Sequence, residues 1–173
     1  MKKTIWLALA GLLVAIQFIQ PNRSVHPIDP TQDIRQTLLA PATVQSVLVA
    51  ACYDCHSYES KYPWYSRVAP VSWWVSNHIA EGRKELNFST FSTLAPEDRA
   101  EALEDAAEAV QKGEMPLESY VWMHPAAKLS AAQRDLLVRW FQANGGQDAA
   151  ENVPTEAGKA TRGAEKSYSD DDD

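Results

Sequence analysis

The chain has 173 residues, 45% of them hydrophobic, with two cysteines and a formal net charge of -7. Once its polar ends are set aside, that length suits one small domain and leaves no room for several. Most of the negative charge lies in Gly146 to Asp173, which carries eight acidic and three basic residues; the rest is nearly neutral and has no basic cluster, which argues against a nucleic-acid partner.

Residues 1–20 read as a targeting segment, because Lys2 and Lys3 precede an uncharged run from Thr4 to Ile19 rich in Leu, Ala, Ile and Val. The run ends in Gln17-Phe18-Ile19-Gln20-Pro21 without a small-x-small cleavage pattern, so it is expected to stay as a signal-anchor helix in the inner membrane. The positive-inside bias then places everything after Pro21 on the periplasmic side. Pro21, Pro27 and Pro30 make residues 21–40 an expected extended tether.

A domain is expected over residues 41–146. Pro41 suits a first helical turn, and Val44, Val47, Leu48, Ala51 and Cys55 recur at helical spacing. Tyr62-Pro63-Trp64-Tyr65 breaks that helix. A second helix is predicted from Pro70, with Val71, Trp74, Val75, His78 and Ile79 on its apolar face and Gly82 near its end. Leu86 to Leu94 reads as a polar turn. A third helix opens at Pro96-Glu97-Asp98, buries Leu103, Ala106, Ala107 and Val110, and stops at Gly113. Glu114 to Lys128 is predicted to be a loop, with prolines after Met115 and His124. The last helix has Ser130 and Gln133 as a capping box, Leu129 as staple, Leu136, Leu137, Trp140 and Phe141 on one face, and Gly145-Gly146 as a stop. No strand pattern competes, so the expected fold is all-α. Residues 147–173 read as a disordered acidic tail.

The two cysteines fall in Cys52-Tyr53-Asp54-Cys55-His56. Two thiols three residues apart meet the two vinyl groups of a porphyrin from one helical turn, and an imidazole beside the second reaches the iron. A disulfide across so short a loop would remove little chain entropy. A thioredoxin-like pair would want a strand before it, and zinc would need a further ligand from His78, His124 or a carboxylate. One covalent haem c is therefore expected, on Cys52 and Cys55, with His56 on the iron. Met115, on a loop before an amphipathic helix, is the leading sixth ligand, and His78 is its rival. Met123 and His124 are further, weaker choices. Trp64, Tyr65, Trp73 and Trp74 suit the walls of a haem pocket, Trp74 beside His78 foremost, and Arg67 and Arg83 could face propionates.

Cys52-Tyr53-Asp54-Cys55-His56-Ser57, Tyr62-Pro63-Trp64-Tyr65, Ala69-Pro70-Val71-Ser72-Trp73-Trp74, Glu81-Gly82-Arg83, Leu86-Asn87-Phe88-Ser89 and Gly113-Glu114-Met115-Pro116 together resemble the family of bacterial haem-binding domain proteins. Tyr120, His124-Pro125 and Lys128-Leu129-Ser130 extend the likeness, which covers about residues 40–145 and the N-terminal apolar segment. The resemblance implies an exported, cytochrome c-like helical domain wrapped round a covalent haem, with Cys52 and Cys55 as thioether positions and His56 as proximal ligand; Met115 matches the distal methionine by local pattern, and His78, which also lies in a motif segment, keeps the sixth ligand open. Electron transfer with an unidentified redox protein partner is the expected function. A peroxidase-like haem enzyme using His78, or a haem-based sensor or accessory subunit, is the alternative.

Overall fold

The structure, a computed structural model, describes residues 2–24 and 26–151. All regular elements among the described residues are helical, in agreement with the expected fold class. They are α1 (Lys2–Ala15), α2 (Ile34–Thr37), α3 (Ala42–Ala51), α4 (Tyr53–His56), α5 (Val71–Glu85), α6 (Pro96–Lys112), α7 (Glu118–Met123) and α8 (Ala131–Glu151), with short 3-10 turns between several of them.

The long pair α6 and α8 forms one wall of the core. Leu103, Ala107 and Val110 of α6 meet Leu137 and Phe141 of α8, and Val44, Val47 and Leu48 of α3 close the other side. Burying each Leu or Phe there contributes about 1.5–3 kcal/mol, more than any single surface contact. The ends of these helices follow their local chemistry. Gly113, at φ 79°, takes the left-handed position that ends α6. Ser130 and Gln133 exchange the two hydrogen bonds of a capping box, at 3.2 and 2.9 Å.

Four expectations need correction. The tether over 21–40 is structured in its second half: a 3-10 turn spans Pro30–Gln32, α2 follows, and Asp33 and Ile34 are buried. Charged and polar residues in that segment hid an ion pair of the buried Asp33 with a half-buried Arg35. Residues 86–94 form a 3-10 stretch, Phe88–Thr93, that drives Phe88 and Phe91 into the core. The loop over 114–128 contains α7 and a 3-10 turn at Pro125–Ala127, each started where a proline has just reset the chain. The predicted stop at Gly145-Gly146 does not end α8, which runs to Glu151. Gly82 sits inside α5, where a Cβ would lie 3.1 Å from the Cys55 carbonyl oxygen, and Gly145 sits inside α8, 3.4 Å from the Ala100 carbonyl oxygen by the same measure. Gly82 is thus a glycine of close backbone approach, whereas at Gly145 a Cβ would make ordinary contact.

The predicted apolar face of α5 is also rotated. Ser72 and Ile79 are its buried positions, while Val71 and Trp74 are exposed. Val75 and His78 lie between these limits, partly buried. No described helix is long and apolar enough to cross a membrane; α1 has 14 residues. The expected disordered tail begins too early: residues 147–151 continue α8, and the remainder of that reading lies outside the described residues.

Candidate functional site

The cysteine motif occupies a single helical turn that follows a kink. α3 ends at Cys52, whose backbone leaves the helical region (φ -126°, ψ -37°), and the turn restarts as Cys55 N–H and His56 N–H both donate to Cys52 O, at 3.1 and 2.9 Å. The two residues between the cysteines fix that turn from opposite sides. The buried Tyr53 hydroxyl donates to Asp33 Oδ1 at 2.8 Å, under the Arg35 guanidinium, which lies 4.3 Å from the ring centroid. On the other side, Asp54 Oδ2 accepts from the Tyr120 hydroxyl at 2.7 Å and Asp54 Oδ1 accepts from Lys61 N–H at 2.9 Å.

α5 then clamps the exit from the turn. Arg83 Nε donates to Ser57 O at 2.8 Å and Arg83 Nη2 to Ser60 Oγ at 3.0 Å, with its plane near the Tyr58 ring. Arg83 is thus committed to holding the motif. Arg67 is exposed.

Both cysteines are unpaired thiols. Burial pushes Cys52 up to about 12, with Cys55 adding to it, and burial followed by the Asp54 charge pushes Cys55 up to about 11. Both therefore stay protonated near neutrality, unlike the low-pKa thiolate of a redox pair. Among the described residues no three His, Cys, Asp or Glu side chains converge as a metal-binding group, so the zinc reading finds no ligand set.

His56 has the features of an imidazole ready to bind a metal. Its Nδ1 lies 3.0 Å from Leu86 O; a carbonyl only accepts, so Nδ1 carries the proton and Nε2 keeps its lone pair. Burial lowers the pKa of the ring, against the opposing pull of the Leu86 and Gly82 carbonyls and Glu85, which favours the neutral form. Phe88 packs beside it at 5.7 Å between centroids.

Two cavities flank the turn. A cavity of ≈ 230 Å³ is lined by Cys52, His56, Leu86, Phe88, Val110, Met115 and Phe141. A smaller one, ≈ 60 Å³, is lined by Cys55, Tyr65, Trp74, His78, Tyr120, Met123 and His124. The structure therefore brings Met115 together with His56, and places His78 and Trp74 on the other side of the motif. The His78 ring is tilted against Trp74 at 4.4 Å and its Nδ1 lies 2.9 Å from Trp74 O. His124 stacks on Tyr120 at 4.1 Å and its Nε2 is 3.3 Å from the Tyr65 hydroxyl. Trp64 is 76% exposed and lines neither cavity.

Sequence reasoning missed Asp33, Leu86, Phe88 and the Asp54–Tyr120 pair as parts of this site. Tyr53 and Asp54 stand inside the motif and were visible there; the Leu86 contribution is a backbone carbonyl, which no residue type announces.

The residues fit a covalently attached haem: two free thiols on one turn, a neutral imidazole with its second nitrogen available, and a thioether sharing its apolar cavity. No curated protein and no solved structure is significantly similar to the chain. The model of the haem-binding domain family matches residues 11–143, a span that includes the cysteine turn and both cavities, and the chain belongs to the haem-binding domain family.

Proposed function

We propose that this protein is a c-type haem protein of the periplasmic face of the inner membrane, anchored by α1, that transfers electrons to and from a redox protein partner. Cys52 and Cys55 would carry the thioethers, His56 Nε2 the proximal bond and Met115 the sixth position. The haem supplies a one-electron ferric–ferrous couple, which His and Met ligation shifts to higher potential. The chain's own contribution is to orient and shield. Leu86 O fixes the imidazole plane and keeps its tautomer, Phe88 and Phe141 keep water from the His56 side, and the Tyr53 and Asp54 hydrogen bonds hold the turn that presents both sulfurs.

The observation that carries this reading is the shared cavity of His56 and Met115, with His56 Nδ1 already spent on Leu86 O. The test is an absorption spectrum of chain matured in a host with working cytochrome c assembly, oxidised and reduced. A denaturation-resistant haem, a weak red band of ferric iron–thioether ligation, and no carbon monoxide binding at neutral pH support it. A colourless product of bare-chain mass rejects it.

The second cavity favours one alternative. His78, Tyr65, Tyr120 and His124 gather polar groups beside Cys55, as an enzyme or sensor with an exchangeable iron position would need. Peroxide turnover that His78→Ala abolishes, with haem retained, would select that reading over electron transfer.

A further inference from the structure

The end of α1 does not swing free of the domain. Gln17 Oε1 accepts from Ala69 N–H at 2.9 Å while its Nε2 donates to Ala69 O at 3.0 Å, so one amide reads both backbone groups of a single residue. The Trp73 indole N–H donates to Ile19 O at 2.6 Å, and Arg23 Nη2 donates to Ser66 O at 2.7 Å. Four hydrogen bonds thus seat residues 17–23 against residues 66–73, directly beside the wall of the Cys55 cavity.

Around that seat the domain exposes large apolar side chains that nothing in the fold requires to be outside. Trp64 is 76% and Trp74 50% accessible, and Val68, Val71 and Trp73 are exposed between them. Scattered apolar residues on a surface are ordinary, but five within eleven positions, beside an apolar helix that is itself uncovered, form a patch. Charge sets the patch apart from the rest of an acidic chain. Residues 60–80 and 16–28 hold no Asp or Glu, and their charges are Arg23, Lys61 and Arg67. Tryptophan with arginine is the composition of a membrane interface, where the ring takes the acyl boundary and the guanidinium the phosphates.

The length of α1 points the same way. With the 3-10 turn Ile16–Phe18 that continues it, its 14 residues give a helical run of about 27 Å at the α and 3-10 rises, a little short of a hydrocarbon core of about 30 Å. A helix that short keeps whatever is fixed to its end close to the bilayer, and a fixed apolar face offsets the mismatch by entering the interface.

We propose that the face bearing Trp64, Val68, Val71, Trp73 and Trp74 rests in the headgroup region of an anionic bilayer, clamped there in one orientation by Gln17 and Arg23. This deepens the anchor reading given above and rests on it. The domain then stands at a fixed height with its Cys55 cavity turned towards the membrane side.

The test uses the full, haem-loaded chain in vesicles of phosphatidylethanolamine and phosphatidylglycerol. A nitroxide on a ketone-bearing amino acid is placed, one site at a time, at Leu9, Val68, Val71 and Gln111, and its collisions with oxygen and with a water-soluble nickel chelate are measured. Labels at Val68 and Val71 are expected to give an oxygen-to-nickel ratio several-fold above that at Gln111 and below that at Leu9, which lies midway along α1. The double variant Gln17→Ala, Arg23→Ala is expected to return the Val71 label to the Gln111 value and leave Leu9 unchanged. Water-like values at Val68 and Val71 with a lipid-like Leu9 overturn the docked face and leave the anchor standing. A water-like Leu9 removes the anchor and the inference with it. Spin–spin broadening at Val71 that vanishes on dilution with unlabelled protein assigns the face to a second copy and overturns the proposal, as does a double variant that changes nothing.

Discussion

The Tyr53 hydroxyl and the Asp33 carboxylate meet at 2.8 Å with both side chains buried, tying the first residue inside the cysteine motif to a segment twenty positions upstream. Arg35 completes the pair, with its Nε 2.8 Å from Asp33 Oδ1 and its Nη2 2.5 Å from Glu59. A buried carboxylate held this way stabilises little relative to an apolar replacement of the same shape. Removing Asp33 is costly, because the buried Tyr53 hydroxyl then has no partner.

Asp33→Ala is therefore expected to lower unfolding free energy by about 2–3 kcal/mol, since it leaves the buried Tyr53 hydroxyl without its acceptor and the Arg35 guanidinium with Glu59 alone. Tyr53→Phe removes a single hydrogen bond and is expected to cost about 1–2 kcal/mol. Urea midpoints of the haem-loaded chain, read at unchanged slope, check both. An Asp33→Ala midpoint equal to that of the parent would mean that residues 29–40 contribute nothing to the domain.

Met115 separates ligand chemistry from packing. It is only partly buried against the core, so Met115→Ala should cost about 2 kcal/mol of stability or less, at the low end for a core truncation. Its spectroscopic effect should be larger in kind: loss of the red ferric band, carbon monoxide binding on reduction, and a lower potential. His78→Ala should leave all three as they are, because His78 lies in the other cavity. The opposite pattern would move the sixth ligand to His78.

The thiols give a pH prediction for chain isolated before haem attachment. Burial raises Cys52 to about 12 and Cys55 to about 11, above the value of about 8.5 for an unfolded cysteine. Between those values the folded chain holds more protons than the unfolded one. The thiols therefore favour the folded state below pH about 8.5, and this contribution fades as pH rises through the folded values. Alkylation by iodoacetamide should be slow at neutral pH and still accelerating at pH about 10, whereas in urea it should level off about a unit above 8.5. A native plateau near neutrality would mark a reactive redox pair instead.

How much of this was legible in the residues depends on what kind of signal each feature leaves. Helices α3, α6 and α8 announce themselves through apolar spacing and through the Pro96, Gly113 and Ser130–Gln133 signals, and the structure has them where periodicity predicts. The cysteine turn is legible because its chemistry needs specific side chains at fixed spacing. What stayed hidden depends on contacts far apart in sequence. Asp33 looks like a linker residue until Tyr53 is folded onto it, and Phe88 sits among serines, threonines and Asn87 in a stretch too short to show a period. Glycine is an ambiguous signal: Gly113 stops α6, Gly145-Gly146 lets α8 run on, and only packing shows that Gly82, near the end of α5, is where the Cys55 backbone comes close while Gly146 has open space.

That last distinction yields opposite signs for the same substitution. Inside a helix, Gly→Ala favours the folded state by about 1 kcal/mol through propensity alone. At Gly146 no atom lies within 4 Å of the added methyl, so Gly146→Ala should stabilise by about that amount. At Gly82 the methyl would stand 3.1 Å from Cys55 O and 3.4 Å from Cys55 Cβ. Those atoms cannot step aside, because Tyr53, Asp54 and Ser57 are each pinned by hydrogen bonds on either side of the turn. Strain of about 1–3 kcal/mol should then outweigh the propensity gain. Thermal unfolding of Gly82→Ala should occur below that of the parent, and its yield of covalently bound haem should fall, since the displaced atoms belong to the cysteine that carries one thioether. A Gly82→Ala chain as stable and as fully haem-loaded as the parent would show that α5 does not hold the turn at this point.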